Sequence, residues 1–80
     1  MKIPRDWTGA ELASALRRLG YEVERQSGSH LQLTTTRGGE HHLSVPNHRP
    51  LKVGMLHALL KDVAAHHGFA LEELLKELRG

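Results

Sequence analysis

Eighty residues with a formal net charge of +2 predict one domain, spanning residues 1–80, that buries only a thin core. The chain has no cysteine, which excludes disulfide scaffolds, thiolate metal sites and cysteine nucleophiles. No apolar run approaches the roughly 20 residues that cross a bilayer, and Met1 to Asp6 contain no apolar signal core. We therefore expect a cytoplasmic protein without a membrane partner.

The first predicted element is a helix over residues 9–19. Thr8 and Glu11 have the spacing of a capping box, in which each side chain binds a free amide at the helix start. Apolar residues then recur at helical spacing: Leu12, Ala15, Leu16 and Leu19. Gly20 can adopt the left-handed conformation that ends a helix, so the helix presents one apolar face and stops there.

After Gly20 the period of the pattern changes to two, which is typical of strands. Side chains of different polarity alternate in three segments: residues 21–26, 30–35 and 42–45. Ser27-Gly28-Ser29 and Arg37-Gly38-Gly39 separate these segments as three-residue turns. Pro46 ends the third strand because it cannot donate a ladder hydrogen bond. The pattern predicts a three-stranded antiparallel meander.

Both predicted turns give registers that place the apolar residues on the same face of the sheet, so this face is expected to be buried. The second turn pairs Leu33 with Leu43, and the same register pairs Leu31 with Val45. The first turn pairs Val23 with Leu33, so Val23 is expected beneath the helices. The open face, which points away from the helices, is expected to carry polar side chains: Gln26, His30, Gln32, His42 and Ser44.

A polar loop over residues 47–52 precedes a second predicted helix over residues 54–66, and Gly68 can end it. A short third helix is predicted by apolar residues at helical spacing: Phe69, Leu71, Leu74, Leu75 and Leu78. The order helix, three strands, helix, helix predicts an α+β fold with the helices on one face of an antiparallel sheet. This order resembles the double-stranded-RNA-binding domain (dsRBD), with a short C-terminal helix added.

The charge is concentrated in the middle of the chain. Residues 37–61 contain one acid, Glu40, and four cations: Arg37, Arg49, Lys52 and Lys61. A basic region of this kind favours a polyanion partner such as nucleic acid. An ordinary solvated loop and helix face is the alternative interpretation.

Short motifs lie in a fixed order on the predicted elements. Leu19-Gly20 ends the first helix, and Gly28-Ser29-His30 opens the second strand. Val45-Pro46-Asn47-His48 ends the third strand, and Leu51-Lys52-Val53-Gly54 leads into a leucine-rich helix. In these motifs, over about residues 8–75, the chain resembles the HicA toxin family.

The resemblance implies the toxin of a bacterial toxin–antitoxin pair, an endoribonuclease that cuts mRNA without a cofactor and is covered by a HicB-type antitoxin. It also implies that His30, which matches the catalytic histidine of the family, is the catalytic residue here. Histidine suits proton transfer because its ordinary pKa of about 6.5 leaves both forms populated near neutrality. An ordinary exposed strand histidine is the alternative for His30.

Phosphate-binding groups are expected around this histidine. In the predicted register His30 lies opposite Pro46, so His48 would sit just beyond the same end of the sheet. A glycine-containing turn can bring backbone amides close to a phosphate, and loop cations can bind one. The candidate RNA- or phosphate-binding residues are Gly28, Ser29, His48, Arg49 and Lys52. For each of them an ordinary turn or solvated loop is the alternative.

Two other functions stay open. A non-catalytic dsRBD-like RNA-binding module would contact phosphates and 2′-hydroxyls, but Lys52 is the one lysine near the position where such a reader needs a cluster. A protein-interaction domain would have no affinity for RNA. No metal site is expected, because the neighbours in His41-His42 and in His66-His67 point in different directions on a strand or a helix.

Overall fold

The structure is a computed structural model that describes residues 6–79. Its elements are α1 (Gly9–Leu16), a 3-10 turn (Arg17–Leu19), β1 (Glu22–Ser27), β2 (His30–Thr35), β3 (His41–Pro46), α2 (Val53–His67) and α3 (Leu71–Arg79). The strands form one antiparallel sheet in the order β1-β2-β3, which confirms the predicted α+β, dsRBD-like fold. Met1 to Arg5, where the sequence lacks a signal core, lie outside the described residues. No helix in the described part is long and apolar enough to cross a membrane.

The predicted capping box starts α1. The Glu11 amide donates to Thr8 Oγ1 at 3.1 Å, and the Thr8 amide donates to Glu11 Oε1 at 3.0 Å. Gly9 lies against the end of β3, and its amide donates to the His48 carbonyl at 3.0 Å. A Cβ at Gly9 would lie 2.0 Å from the Pro46 carbonyl oxygen, so only glycine fits. The start of α1 is thereby joined to the loop after β3.

The core lies between the helices and one face of the sheet. The predicted pairs Leu31–Val45 and Leu33–Leu43 are confirmed, and these side chains are buried. The helical segments add the following buried residues: Leu12, Ala13, Leu16, Leu19, Leu56, Leu60, Val63, Ala64, Leu74, Leu75 and Leu78. The second and third strands therefore present the apolar face that the alternation predicted.

The register of β1 is only partly as predicted. Val23 pairs with Leu33 as expected, but the ladder shifts between Val23 and Arg25, which leaves Glu24 as the extra residue of a β-bulge. An inserted residue moves every later pairing on its strand by one position. The turn that follows is consequently the two-residue Gly28-Ser29, so the predicted three-residue turn is wrong.

The bulge exchanges two side chains between the faces of the sheet. Arg25 pairs with Gln32, whereas Gln26 pairs with Leu31, and paired residues share a face. The prediction that Gln26 lies on the open face is therefore wrong, and Arg25 lies there instead. The open face carries the following side chains: Glu22, Arg25, Ser27, His30, Gln32, Thr34, His42, Ser44 and Pro46.

The prediction that the helices cover Val23 is also wrong, since this residue is 48% exposed. Val23 faces the same side as its buried partner Leu33. However, β1 is an edge strand, and all six of its residues are exposed. The area that the helices protect ends before it reaches this strand.

Candidate active site

His30 is the first residue of β2, and its side chain lies on the open face of the sheet. It pairs with Ser27 on β1 and, as predicted, with Pro46 on β3. The residue is exposed, and within residues 6–79 no side chain forms a hydrogen bond, ion pair or ring contact with its imidazole. Both ring nitrogens are therefore available to a ligand.

The turn between β1 and β2 is tight, and its two carbonyl groups accept hydrogen bonds from neighbouring residues. Gly28 has a φ of 60°, whereas the φ of Ser29 is not positive, an arrangement suited to a two-residue hairpin turn. The Gln26 side chain donates to the Gly28 carbonyl at 3.2 Å. The Asn47 amide donates to the Ser29 carbonyl at 2.7 Å. Because this last bond joins the turn to the residue after β3, Gly28, Ser29 and His48 lie at one end of the sheet.

The loop after β3 is anchored through its backbone and exposes its cationic side chains. Leu51 is 2% exposed, and its amide donates to the Trp7 carbonyl at 2.8 Å. The predicted phosphate-binding residues of this loop are exposed: His48, Arg49 and Lys52. In the described part of the chain no hydrogen bond or ion pair joins any of them to His30. His48 lies two residues beyond the partner of His30, whereas Lys52 lies at the start of α2.

Arg25 is a candidate that the sequence pattern did not identify. Its partner Gln32 lies two residues from His30 on β2, which makes Arg25 a diagonal neighbour of that histidine. Diagonal neighbours lie about 7–8 Å apart, within reach of long side chains. Regular alternation assigns Arg25 to the helix side, because nothing in Glu24 itself marks a bulge. The available signal was Gly28-Ser29, which also fits a two-residue turn.

The charge on the open face changes along the sheet. Arg25 lies towards the end that carries His30, with the exposed loop cations beyond β3. At the opposite end Glu22 lies on the same face, and His42 Nε2 lies 2.5 Å from Glu40 Oε2. A phosphate is therefore favoured at the His30 end.

A second group of histidines lies at that opposite end, on the helix side, and we call it the histidine–tyrosine network. It consists of Tyr21, His41, Asp62, His66 and His67. His41 Nδ1 lies 2.6 Å from the Tyr21 hydroxyl, and His67 Nε2 lies 3.2 Å from the same oxygen. His41 Nε2 lies 3.3 Å from Asp62 Oδ1, and His66 stacks on His41 with 4.4 Å between ring centroids. Among residues 6–79 no group of three or more histidine, aspartate or glutamate residues could hold a metal ion.

The network disfavours charge on Tyr21 and on His67. Burial raises the pKa of Tyr21 from 10.0 to about 12, and the Asp62 carboxylate adds to this rise. Burial also lowers the pKa of His67, with smaller contributions from His66, His41 and Arg37. Both shifts favour neutral forms, so these groups are suited to holding hydrogen bonds between the sheet and α2.

One comparison with known proteins gives a match. A protein-family model described as the HicA toxin of bacterial toxin–antitoxin systems matches residues 9–64. Searches of curated proteins and of solved structures give no significant match. The matched residues include α1, the complete sheet, the loop after β3 and most of α2, so the candidate site lies entirely within them.

Proposed function

Since the chain belongs to the HicA toxin family, and is thus a toxin of a bacterial toxin–antitoxin system, we propose that it is an endoribonuclease that cleaves mRNA without a metal ion. His30 is the proposed catalytic residue. The observation that carries the proposal is the exposed imidazole of His30 on the open face, beside a tight turn and an exposed cationic loop. Because the proposed substrate is mRNA, the toxin acts in the cytoplasm.

The proposed reaction uses a nucleophile that RNA itself supplies. The 2′-hydroxyl attacks the adjacent phosphorus and the bond to the 5′-oxygen breaks, which leaves a 2′,3′-cyclic phosphate and a 5′-hydroxyl. His30 accepts the proton of the 2′-hydroxyl, and His48 or water gives a proton to the departing 5′-oxygen. The remaining candidates bind phosphate oxygens: Gly28 and Ser29 through their amides, Arg49 and Lys52 through their side chains.

A HicB-type antitoxin is the proposed protein partner. His30 lies on a face that no helix covers within residues 6–79, so occlusion of this site requires another chain. An antitoxin that occupies the open face keeps RNA away from the imidazole. Loss of the antitoxin then exposes the site.

Cleavage of single-stranded RNA in excess EDTA by the purified chain and by His30→Ala tests the proposal. The parent should leave 2′,3′-cyclic phosphate and 5′-hydroxyl ends. His30→Ala should cut about 10²- to 10⁴-fold more slowly, because general acid–base catalysis contributes a factor of that size. His42→Ala is the matched control, since His42 is an exposed histidine on the same face at the other end of the sheet, and it should cut like the parent.

Two results with the purified protein would contradict the proposal. Equal RNA binding without cutting by the parent and by His30→Ala would favour a non-catalytic dsRBD-like RNA-binding module. Cutting that EDTA abolishes would overturn the metal-free reaction. In cells, expression of the parent should arrest bacterial growth while His30→Ala should not, and equal arrest by both would separate toxicity from this histidine.

A further inference from the structure

Cationic side chains lie on both sides of His30. On the β3 side they come from the exposed loop that follows Pro46, and on the β1 side the cation is Arg25. We propose that Arg25 binds the scissile phosphate and stabilises the negative charge that develops on it during cleavage. This role rests on the proposed RNA cleavage, and it concerns a residue outside the motifs that predicted the site.

The β-bulge is the structural reason for the position of Arg25. With Glu24 as an extra residue, Arg25 pairs with Gln32 and Ser27 pairs with His30, so all four paired side chains share the open face. Bulges re-aim side chains and are frequent next to active sites. Arg25 is also the only lysine or arginine in the three described strands, so the sheet supplies this one cation beside the imidazole.

The guanidinium of Arg25 is not occupied by the protein. Arg25 is exposed, and among the residues from 6 to 79 it has no hydrogen bond or ion pair. Arg37 is also exposed, but its Nη1 donates to the Arg18 carbonyl at 3.1 Å. An arginine held in that way supports the fold, whereas a free arginine beside a candidate catalytic histidine is available to substrate.

The chemistry of a guanidinium fits this role. Its planar fork binds two oxygens of one phosphate at once. As the 2′-oxygen bonds to phosphorus before the 5′-oxygen has left, negative charge builds up on the phosphoryl oxygens, and a cation fixed beside them lowers the barrier. Arg25 neither gains nor loses a proton. His30 therefore still accepts the proton of the 2′-hydroxyl, and His48 or water still gives a proton to the 5′-oxygen.

An exchange of two neighbouring side chains tests the proposal. The double variant Arg25→Gln/Gln26→Arg keeps the composition and net charge, but it moves the guanidinium to the position that pairs with Leu31 on the helix side. We expect kcat for RNA cleavage to fall about 10- to 100-fold with a smaller change in KM, because the lost contact acts mainly in the transition state. Arg25→Gln should show the same loss, and Arg25→Lys a smaller one.

Arg17→Gln is the matched control, since Arg17 is exposed and lies in the 3-10 turn and not in the sheet. It should cut like the parent. Binding of a non-cleavable single-stranded RNA gives a second measurement, because the log binding constant falls with log salt and each lost phosphate contact reduces the magnitude of that slope by about 0.7. Arg25→Gln should show that decrease, and Arg17→Gln should not.

Full activity of the double variant would overturn the assignment, and so would a raised KM with unchanged kcat in Arg25→Gln. His30→Ala, measured in parallel, separates this failure from failure of the proposed function. If His30→Ala cuts like the parent, the histidine mechanism fails. If His30→Ala is inactive and Arg25→Gln is fully active, only the role of Arg25 fails. Should thermal unfolding reveal that the exchange itself disturbs the fold, the single variant decides.

Discussion

Histidines lie at both ends of the β2–β3 ladder, but their surroundings differ. At one end His30 is exposed, and no other side chain in residues 6–79 contacts its ring. At the other end the His41 side chain is 16% exposed, and both of its ring nitrogens have partners, Tyr21 and Asp62. A ring with both nitrogens bound must break those contacts before it can exchange a proton with a substrate. Freedom from partners therefore distinguishes the candidate catalytic histidine from the structural one.

The histidine–tyrosine network can satisfy all its members with neutral rings. The Tyr21 hydroxyl has one proton, which it donates to His41 Nδ1, while His41 Nε2–H donates to Asp62. His67 Nε2–H then donates to the Tyr21 oxygen. His66 Nε2–H faces two carbonyl oxygens in the β2–β3 turn, each at 3.1 Å. These bonds join the start of β3 and the β2–β3 turn to the end of α2.

Removal of one histidine from each end gives the largest expected contrast. His30→Ala should lose cleavage by about 10²- to 10⁴-fold and change the free energy of unfolding by no more than about 0.5 kcal/mol. His41→Ala should lose about 1–3 kcal/mol of stability, because the buried Tyr21 hydroxyl loses a hydrogen-bond partner, and should keep its cleavage rate. Urea unfolding and RNA cleavage measure the two effects. Loss of cleavage in folded His41→Ala would show that both ends take part in catalysis.

Alkaline pH should lower the free energy of unfolding by a smaller amount, through the histidine–tyrosine network. Because the pKa of Tyr21 is raised from 10.0 to about 12, the stability contributed by the neutral phenol is complete below pH 10.0 and is lost as the pH rises towards about 12. The loss is at most about 2–3 kcal/mol, from the size of the pKa difference. The chain has one tyrosine, so phenolate absorbance reports this group alone. Tyr21→Phe should show a flatter alkaline slope in urea unfolding, and an absorbance midpoint near 10 in the parent would contradict the prediction.

Gly9→Ala should disturb the other end, where α1 meets the loop after β3. The new Cβ would lie 2.0 Å from the Pro46 carbonyl oxygen, so helix or loop must move, at a cost of about 1–3 kcal/mol as for other overpacked sites. The movement shifts the carbonyl of His48, so cleavage should also decrease. Gly54→Ala is the control, since a Cβ there meets nothing within 4 Å, and it should stabilise the chain by about 0.4–1 kcal/mol. Equal stability of both variants would show that the contact at Gly9 is easily relieved.

Most of the fold was predictable because its signals are local. The capping box at Thr8 and the left-handed Gly20 bound the first helical segment, and the alternation of apolar residues in β2 and β3 sets their register. The register of β1 was not predictable from alternation alone. Two features conflict there. Without a bulge, the pairing of Val23 with Leu33 needs a three-residue turn, whereas Gly28-Ser29 makes a two-residue turn. A bulge satisfies both, at the cost of one unpaired residue.

The candidate site was predictable where it depends on short motifs, and not where it depends on tertiary contacts. His30 and His48 lie in or next to such motifs, and the register between β2 and β3 places the latter beyond the same end of the sheet. Arg25 required knowledge of the bulge. The contacts of His41 with Asp62 and His66 join residues more than 20 positions apart, and no local pattern contains that information.

Acid should produce the smallest decrease in the free energy of unfolding, again through the histidine–tyrosine network. The pKa of His67 is lowered, first by burial and then by the charges on His66, His41 and Arg37. The stability that depends on the neutral ring is therefore complete above the ordinary histidine value of about 6.5 and decreases as the pH falls below it. Because the ring is only partly buried, we expect less than about 1 kcal/mol. Urea unfolding of the parent and of His67→Gln, which keeps a donor for Tyr21, isolates this contribution, and parallel pH profiles for the two proteins would assign the acid sensitivity to other groups.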